Sequence, residues 1–218
     1  AALDADEPVP GPTSARSSGV PHATVAASTD DTLLTPAVLD LVAVLQRVHR
    51  PSLDALLERR TERAAAIAAG ADPAPDPAAA AVRDGDWQVE PAPPYLLDRR
   101  VEITGPADRK MMIGALNSGA QVFMADLEDS MSPTWANVVA GHANLRDAAG
   151  GTLTFTREDG SIDEVGADAA TLVVRPRGLH LVERHVTVDD AMVTAPLFDV
   201  ALLATHCAAA LAGRGAGL

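Results

Sequence analysis

The sequence predicts an α/β fold built on a parallel sheet, either a barrel or a doubly wound sheet. Three short apolar runs indicate strands at residues 101–104, 122–125 and 171–174, and the second and third are free of breakers, as expected for strands buried on both faces. A helical pattern follows the first run over 107–117, and a helix or turn is expected over 134–145 after the second. Strands that alternate with helices favour a parallel sheet, because each parallel crossover needs a long connection.

A disordered tail and a helical unit are expected before the sheet. Residues 1–31 are rich in Ala, Pro, Ser, Thr and Asp and show no periodicity, so they cannot bury enough apolar surface to offset chain entropy. Apolar residues recur at helical spacing after the N-cap Thr35, and Pro51 is expected to end this helix. Ser52 can cap a second helix. We therefore expect a helical hairpin within a domain spanning 32–75.

A linker separates this unit from the predicted sheet domain. Residues 71–78 carry proline at every second position, which forbids both helix and sheet there and marks a linker, placed at residues 76–98. The sheet domain then occupies residues 99–218. Within it, residues 150–166 contain an Asp-Gly turn between two short strand patterns and predict a hairpin outside the main repeat. The apolar stretch 197–211 predicts a final helix.

Charge and composition exclude several classes of partner. The formal net charge of −13 disfavours nucleic acid, whose phosphates require a basic surface. No apolar run approaches the roughly 20 residues needed to span a bilayer, so no membrane partner is expected. Cys207 is the single cysteine, which excludes an intrachain disulfide and a cysteine-based zinc site. A reducing compartment is the simpler inference, and we expect a cytoplasmic protein.

An acidic cluster follows the second apolar run directly. Asp126, Glu128 and Asp129 would lie at the carboxyl end of a buried strand, where barrel active sites are built. Clustered carboxylates repel one another unless a cation offsets them, and hard oxygen ligands suit Mg²⁺. The alternatives are a strand end that runs into a solvated acidic loop, or Asp129 acting as an N-cap.

Two arginines follow the third apolar run in the same way. Arg175 and Arg177 could both point into the mouth of the sheet, where a guanidinium binds a carboxylate substrate and stabilises charge developing on oxygen. The alternative is a salt bridge to the acidic cluster. His180 and His185 lie nearby, and the sequence alone assigns them no role.

At this point the residues resemble a known family, the A-type malate synthases. The similarity covers residues 84–212, and its longest ordered segments are Asp98–Pro106 (DRRVEITGP), Val122–Ser130 (VFMADLEDS) and Arg175–Leu181 (RPRGLHL). The resemblance implies a partial (β/α)8 TIM barrel preceded by an N-terminal α-helical clasp. The resemblance to the clasp depends on the position of these helices in the chain more than on residue identity.

The resemblance also implies a chemistry. Members of this family condense acetyl-CoA with glyoxylate in the glyoxylate cycle, with glyoxylate held on Mg²⁺, and then hydrolyse malyl-CoA to malate and CoA. It implies that Arg175 is the catalytic arginine, which stabilises the enolate of acetyl-CoA. Asp126 and Glu128 are implied to lie beside the metal, through its bound waters. The oligomeric state does not follow from the sequence.

The chain departs from the family at its end. The two direct magnesium ligands and the catalytic base of the family lie beyond the position of Leu218, and residues 101–218 supply about half of an eight-unit barrel of about 250 residues. We therefore expect the chain alone to be inactive and poorly soluble. Two other hypotheses stay open: a lyase of the citrate-lyase β-subunit or malyl-CoA type, and a non-catalytic interaction fragment.

Overall fold

The computed structural model describes residues 23–26 and 32–213. Its helices are α1 (Pro36–Ala68), α2 (Ala80–Arg83), α3 (Arg109–Leu116), α4 (Trp135–Gly150), α5 (Ala195–His206) and α6 (Ala208–Gly213). Its strands are β1 (Thr24–Val25), β2 (Glu102–Pro106), β3 (Val122–Asp126), β4 (Thr154–Thr156), β5 (Ile162–Glu164), β6 (Thr171–Arg175), β7 (Val182–Val188) and β8 (Ala191–Thr194).

The central sheet is parallel, with the strand order β2-β3-β6. Helix α3 connects β2 to β3, and the return from β3 to β6 runs through α4 and the antiparallel pair β4–β5. The predicted α/β fold with a parallel sheet is confirmed, and the sheet is not closed within residues 23–26 and 32–213. Its register places Asp126 opposite Pro106 on one side and Arg175 on the other, so three strand ends meet at one edge.

A second, antiparallel sheet with the order β1-β7-β8 was not anticipated. Strands β7 and β8 are joined by Asp189 and Asp190, whose φ angles of 52° and 64° fit the left-handed conformation that aspartate tolerates in tight turns. Strand β1 pairs with Val186 and Thr187 of β7. The prediction of a disordered tail is therefore wrong at Thr24–Val25, because β7 provides hydrogen-bonding partners that local composition cannot reveal. Residues 1–22 and 27–31 lie outside the described part of the chain.

The N-terminal helix α1 is a single helix, and the expected break at Pro51 is wrong. Thr35 caps its start, and its side chain accepts a hydrogen bond from the backbone N–H of Val38 at 3.4 Å. Proline inside a helix removes one backbone hydrogen bond and costs about 3 kcal/mol. Pro51 is exposed, so water can hydrate the carbonyl that loses its partner. Good helix formers on both sides therefore carry the helix through this position.

Two buried apolar clusters hold the elements together. One lies between the central sheet and its helices and includes Met112, Phe123 and Leu145, and the other joins α1 and α5 to the antiparallel sheet through Val38 and Phe198. Burial of such side chains contributes about 1.5–3 kcal/mol each. The clusters leave the carboxyl ends of β3 and β6 free to carry polar groups. Among the described helices, none combines the length and apolar character that a membrane span requires.

Candidate active site

The tips of β3 and β6 bring the acidic cluster and Arg175 together. Asp126 and Arg175 end their strands as direct neighbours in the parallel register. The Nη1 atom of Arg175 lies 3.4 Å from Oδ2 of Asp126. Asp126 is 1% exposed, whereas the Arg175 side chain is 41% exposed. A buried carboxylate therefore supports a guanidinium that solvent and ligands can reach.

Arg175 contacts two further carboxylates of the loop after β3. Its Nη2 lies 2.9 Å from Oε2 of Glu128, and its Nη1 lies 2.6 Å from Oδ2 of Asp129. The hydrogen bond that Arg175 donates to Asp129 is the main reason that the pKa of Arg175 is raised above its ordinary value. The guanidinium is thus charged at any physiological pH. The salt bridge considered as the alternative role for this arginine is present, and the exposed part of Arg175 stays accessible.

Asp126 shapes the loop that presents the other acids. Its Oδ1 accepts hydrogen bonds from the backbone N–H groups of Glu128 at 2.9 Å and Asp129 at 3.2 Å. Its Oδ2 accepts a hydrogen bond from the hydroxyl of Ser130 at 3.1 Å and contacts Arg175. Both oxygens are therefore occupied, and the carboxylate is fixed in orientation.

The described residues do not form a complete metal site. No group of three or more His, Cys, Asp and Glu side chains in this part of the chain is arranged to hold a metal ion. Asp126 is buried and fully hydrogen-bonded, which does not fit direct coordination of Mg²⁺. Glu128 and the exposed Asp129 are the acids whose oxygens remain near the surface.

Arg177 does not enter the mouth of the sheet, and that expectation is wrong. It is 3% exposed, with its Nη2 2.8 Å from Oδ1 of Asp199 and its Nη1 2.8 Å from Oε2 of Glu183. Its backbone N–H also donates to Oδ2 of Asp199 at 2.9 Å. Burial by itself would lower the pKa of Arg177, but the hydrogen bonds that it donates to Asp199 and Glu183 outweigh burial and raise the pKa. Two buried carboxylates from α5 and β7 thus turn this side chain inward.

A buried network around Asp199 was missed by the sequence analysis. His142 of α4 lies with its Nε2 3.0 Å from Oδ1 of Asp199, and both side chains are almost fully buried. Burial would raise the pKa of Asp199, but the hydrogen bonds from His142 and Arg177 outweigh it and lower the pKa. The available signal was an aspartate within the otherwise apolar pattern of α5, since a buried charge needs a partner.

The second unassigned histidine, His185, belongs to this same structural network. Its Nδ1 lies 2.8 Å from Oε1 of Glu183, and its ring stacks on Trp135 with ring centroids 4.9 Å apart. His185 therefore links β7 to the start of α4. His180 lies elsewhere, on the exposed turn that follows Arg177.

A small polar cavity adjoins the acidic loop. It has a volume of about 280 Å³ and lies between the loops that follow β2 and β3 and one face of α4. Asp108, Ser130 and Asn137 contribute polar side chains to its wall. Ser130 connects this cavity to the site, because its hydroxyl bonds to Asp126. The carboxyl edge of the sheet thus offers polar lining beside the exposed guanidinium.

Comparison with known proteins gives one consistent result. Residues 171–218 match the family model of the malate synthase TIM barrel domain. The malate synthase of Myxococcus xanthus is 52% identical over 185 residues, which cover 85% of this chain and 34% of that protein. The glyoxysomal malate synthase of Zea mays is 49% identical over 188 residues, with 85% and 34% covered. Malate synthase A of Escherichia coli is 42% identical over 185 residues, with 85% and 35% covered.

The chain spans about a third of the length of the curated relatives that it matches. Its parallel strands with helical connections agree with a part of a TIM barrel, whose active sites lie at the carboxyl ends of the strands. The identity extends over most of the chain, including the region before the matched barrel model. Over most of its length the chain is therefore similar to about a third of a malate synthase.

Proposed function

We propose that this chain forms part of a malate synthase, which condenses acetyl-CoA with glyoxylate and hydrolyses malyl-CoA to malate and CoA. The observation that carries the proposal is the half-exposed guanidinium of Arg175, held at the carboxyl edge of the parallel sheet beside the buried Asp126. The similarity to malate synthases supports the same reaction. Acetyl-CoA and glyoxylate are the proposed partners.

Arg175 is the proposed catalytic residue. Condensation requires an enolate of acetyl-CoA, so negative charge develops on the thioester oxygen and then on the aldehyde oxygen of glyoxylate. A fixed cation stabilises such charge best when its position is set before the reaction. The contacts of Arg175 with Glu128 and Asp129 hold the guanidinium in place, and its exposed face is left for substrate.

Asp126 and Glu128 have different proposed tasks. Asp126 positions the loop and Arg175 through the hydrogen bonds of its two oxygens. Glu128, which is less buried, is proposed to hydrogen-bond to water bound by Mg²⁺. The metal would polarise the carbonyl of glyoxylate. Its direct ligands are proposed to lie outside the described residues, since these contain no complete ligand set.

The proposed compartment is the cytoplasm. Its support is the single cysteine of the chain, Cys207, which is buried and free. Fractionation of the source cells with an antibody against this chain tests the proposal. Recovery of the protein in an organelle fraction would contradict it.

A chimeric enzyme tests the proposed function. The 185-residue segment of the M. xanthus malate synthase that aligns with this chain is replaced by the corresponding residues of this chain. Glyoxylate-dependent release of CoA from acetyl-CoA is then measured together with malate. We expect an active enzyme that loses activity by at least about 100-fold on Arg175→Ala, as for removal of one oxyanion-stabilising group.

Arg184→Ala is the matched control, because Arg184 is exposed on β7 of the antiparallel sheet and not at the carboxyl edge of the parallel sheet. The control should keep its activity. Near-normal turnover of Arg175→Ala would remove the role given to Arg175. Cleavage of malyl-CoA to acetyl-CoA and glyoxylate, without net malate formation, would favour the lyase hypothesis instead.

A further inference from the structure

Gly178 lies at a crowded point of the site. A Cβ atom at this position would lie 2.5 Å from Oε1 of Glu128 and 2.7 Å from Cε1 of His180. Both distances are shorter than Cβ atoms show in folded proteins. The residue begins a turn that is closed by a hydrogen bond of 2.9 Å from the N–H of Leu181 to the carbonyl of Gly178. A side chain at position 178 would therefore displace two neighbours.

The backbone itself does not require glycine at this turn. The glycines with positive φ among the described residues are Gly70, Gly119, Gly151 and Gly160, and Gly178 is not one of them. An L-amino acid can adopt the backbone conformation at 178 without the strain of the left-handed region. Glycine is therefore needed at position 178 because it has no side chain, and not because of its backbone freedom.

The space over Gly178 is filled by groups of the candidate site. Glu128 directs Oε1 toward Gly178, and its other oxygen, Oε2, contacts Nη2 of Arg175 at 2.9 Å. The ring of His180 approaches the same point through Cε1 and Nδ1. The carboxylate of Glu128 therefore lies between the guanidinium of Arg175 and the turn at Gly178. The imidazole of His180 lies on the same side of that turn.

We propose that Gly178 is a positioning residue, whose missing side chain lets Glu128 and His180 lie together beside Arg175. His180 thereby becomes a further hydrogen-bonding group of the site, exposed on the same turn. Its imidazole has a donor and an acceptor nitrogen, which suit the carboxylate and the reacting oxygen of a small oxo acid. The expected effect of Gly178 on turnover rests on the proposed function.

The physical consequence of filling this space is specific. Both obstructing groups are ends of rotatable side chains, so a methyl group at 178 would push them aside at little cost in folding free energy. The displaced Glu128 would lose its contact with Arg175, and the guanidinium would lose one of its fixed partners. Gly178→Ala should therefore reduce turnover while it leaves stability nearly unchanged.

Gly114→Ala provides the matched control, because nothing lies within 4 Å of a Cβ atom at Gly114 in α3. In the chimeric enzyme we expect Gly178→Ala to lower kcat by at least about 10-fold with KM for acetyl-CoA within about 3-fold. Its melting temperature should stay within about 2 °C of the parent. Gly114→Ala should change neither kinetic constant. Unchanged kcat in Gly178→Ala, or a loss explained by a large fall in melting temperature, overturns the proposal.

A double-variant cycle separates positioning of Glu128 from other effects of the methyl group. Glu128→Asp shortens the side chain and withdraws its carboxylate from the space over Gly178. If Gly178 acts by admitting Glu128, the loss of kcat in the double variant should be clearly smaller than the product of the two single losses. A fully multiplicative loss contradicts the inferred role.

A chemical readout that does not depend on turnover keeps this inference distinct from the proposed function. Diethyl pyrocarbonate modifies exposed histidines, and mass spectrometry of the peptide that contains His180 gives its rate of modification. We expect a higher rate in Gly178→Ala, because the ring is pushed outward, and an unchanged rate in Gly114→Ala. If the chimera is folded but inactive and the rate still rises, the proposed function fails and the packing role stands. An unchanged rate in Gly178→Ala refutes the packing role.

Discussion

The Nη1 atom of Arg175 lies 3.4 Å from Oδ2 of Asp126, its direct neighbour on the adjacent parallel strand. The two residues are 49 positions apart in the sequence and meet because parallel strands in register end at the same edge. The buried carboxylate gives the exposed guanidinium a fixed support. Substitutions at Asp126 and in the buried network around Asp199 should have measurable and different effects.

Asp126→Ala should destabilise the protein. It leaves the part-buried N–H groups of Glu128 and Asp129 without their acceptor, and a lost hydrogen bond of this kind costs about 1 kcal/mol or more. Urea unfolding of the chimeric enzyme measures the change in free energy of unfolding. Asp168→Ala, at an exposed position, is the control and should change it by less than about 0.5 kcal/mol. Equal stability of the two variants would show that Asp126 does not organise the loop.

Arg177→Met should destabilise more strongly. Removal of the guanidinium leaves the buried carboxylates of Asp199 and Glu183 without their common partner, and a broken buried ion pair costs about 3–5 kcal/mol. Arg100→Met removes an exposed guanidinium from Asp98 and should cost much less, because solvent screens an exposed ion pair. Thermal unfolding of the two variants compares these costs. A loss at Arg177 no larger than that at Arg100 would contradict the importance of the buried pair.

The buried Asp199 should make stability depend on pH in acid. Its folded pKa lies below its ordinary value of 3.8, because hydrogen bonds from His142 and Arg177 outweigh burial. A depressed pKa contributes stability above the unfolded pKa, and this contribution is lost as pH falls through the folded pKa. The gap in free energy of unfolding between the parent and Asp199→Asn should thus narrow below about pH 4. A gap that stays constant from neutral pH to pH 3 would contradict the assigned shift.

Cys207 should react slowly while the protein is folded. Burial raises the pKa of its thiol to about 11, and only the thiolate is nucleophilic. Because the chain has one cysteine, labelling with Ellman's reagent reports on this site alone in the 218-residue chain. We expect native labelling at pH 8 to be at least about 100-fold slower than labelling in urea. Similar rates in both states would show that the thiol is accessible.

The 218-residue chain alone should associate and show no malate synthase activity. Strands β2 and β6 each pair on one side only within the described residues, and unpaired strand edges favour association between chains. Size-exclusion chromatography and the CoA-release assay check both expectations. A compact soluble monomer would contradict the first expectation and favour the hypothesis of a non-catalytic interaction fragment.

Local patterns in the sequence were sufficient for much of the central sheet. Apolar runs without breakers predicted strands that the structure places at β2, β3 and β6. Asp126 and Arg175 follow or end such runs, so their proximity could be inferred from parallel register alone. These features depend on the periodicity of neighbouring residues, which a single sequence displays directly.

Partners distant in the sequence decided the rest. Arg177 follows Arg175 by two residues but is buried, because Asp199 and Glu183 come from α5 and β7 to pair with it. Strand β1 forms because β7 has an open edge with which it can pair. The sequence around His142 indicates no role for this residue, and only the fold brings it into contact with Asp199. The crowding over Gly178 likewise arises from Glu128, 50 residues earlier in the chain. The sequence by itself determined which segments form the parallel sheet and which charged groups lie at its edge. Packing between distant segments decided which of those charged groups face solvent, because the cost of burying a charge depends on the partners that the fold brings to it.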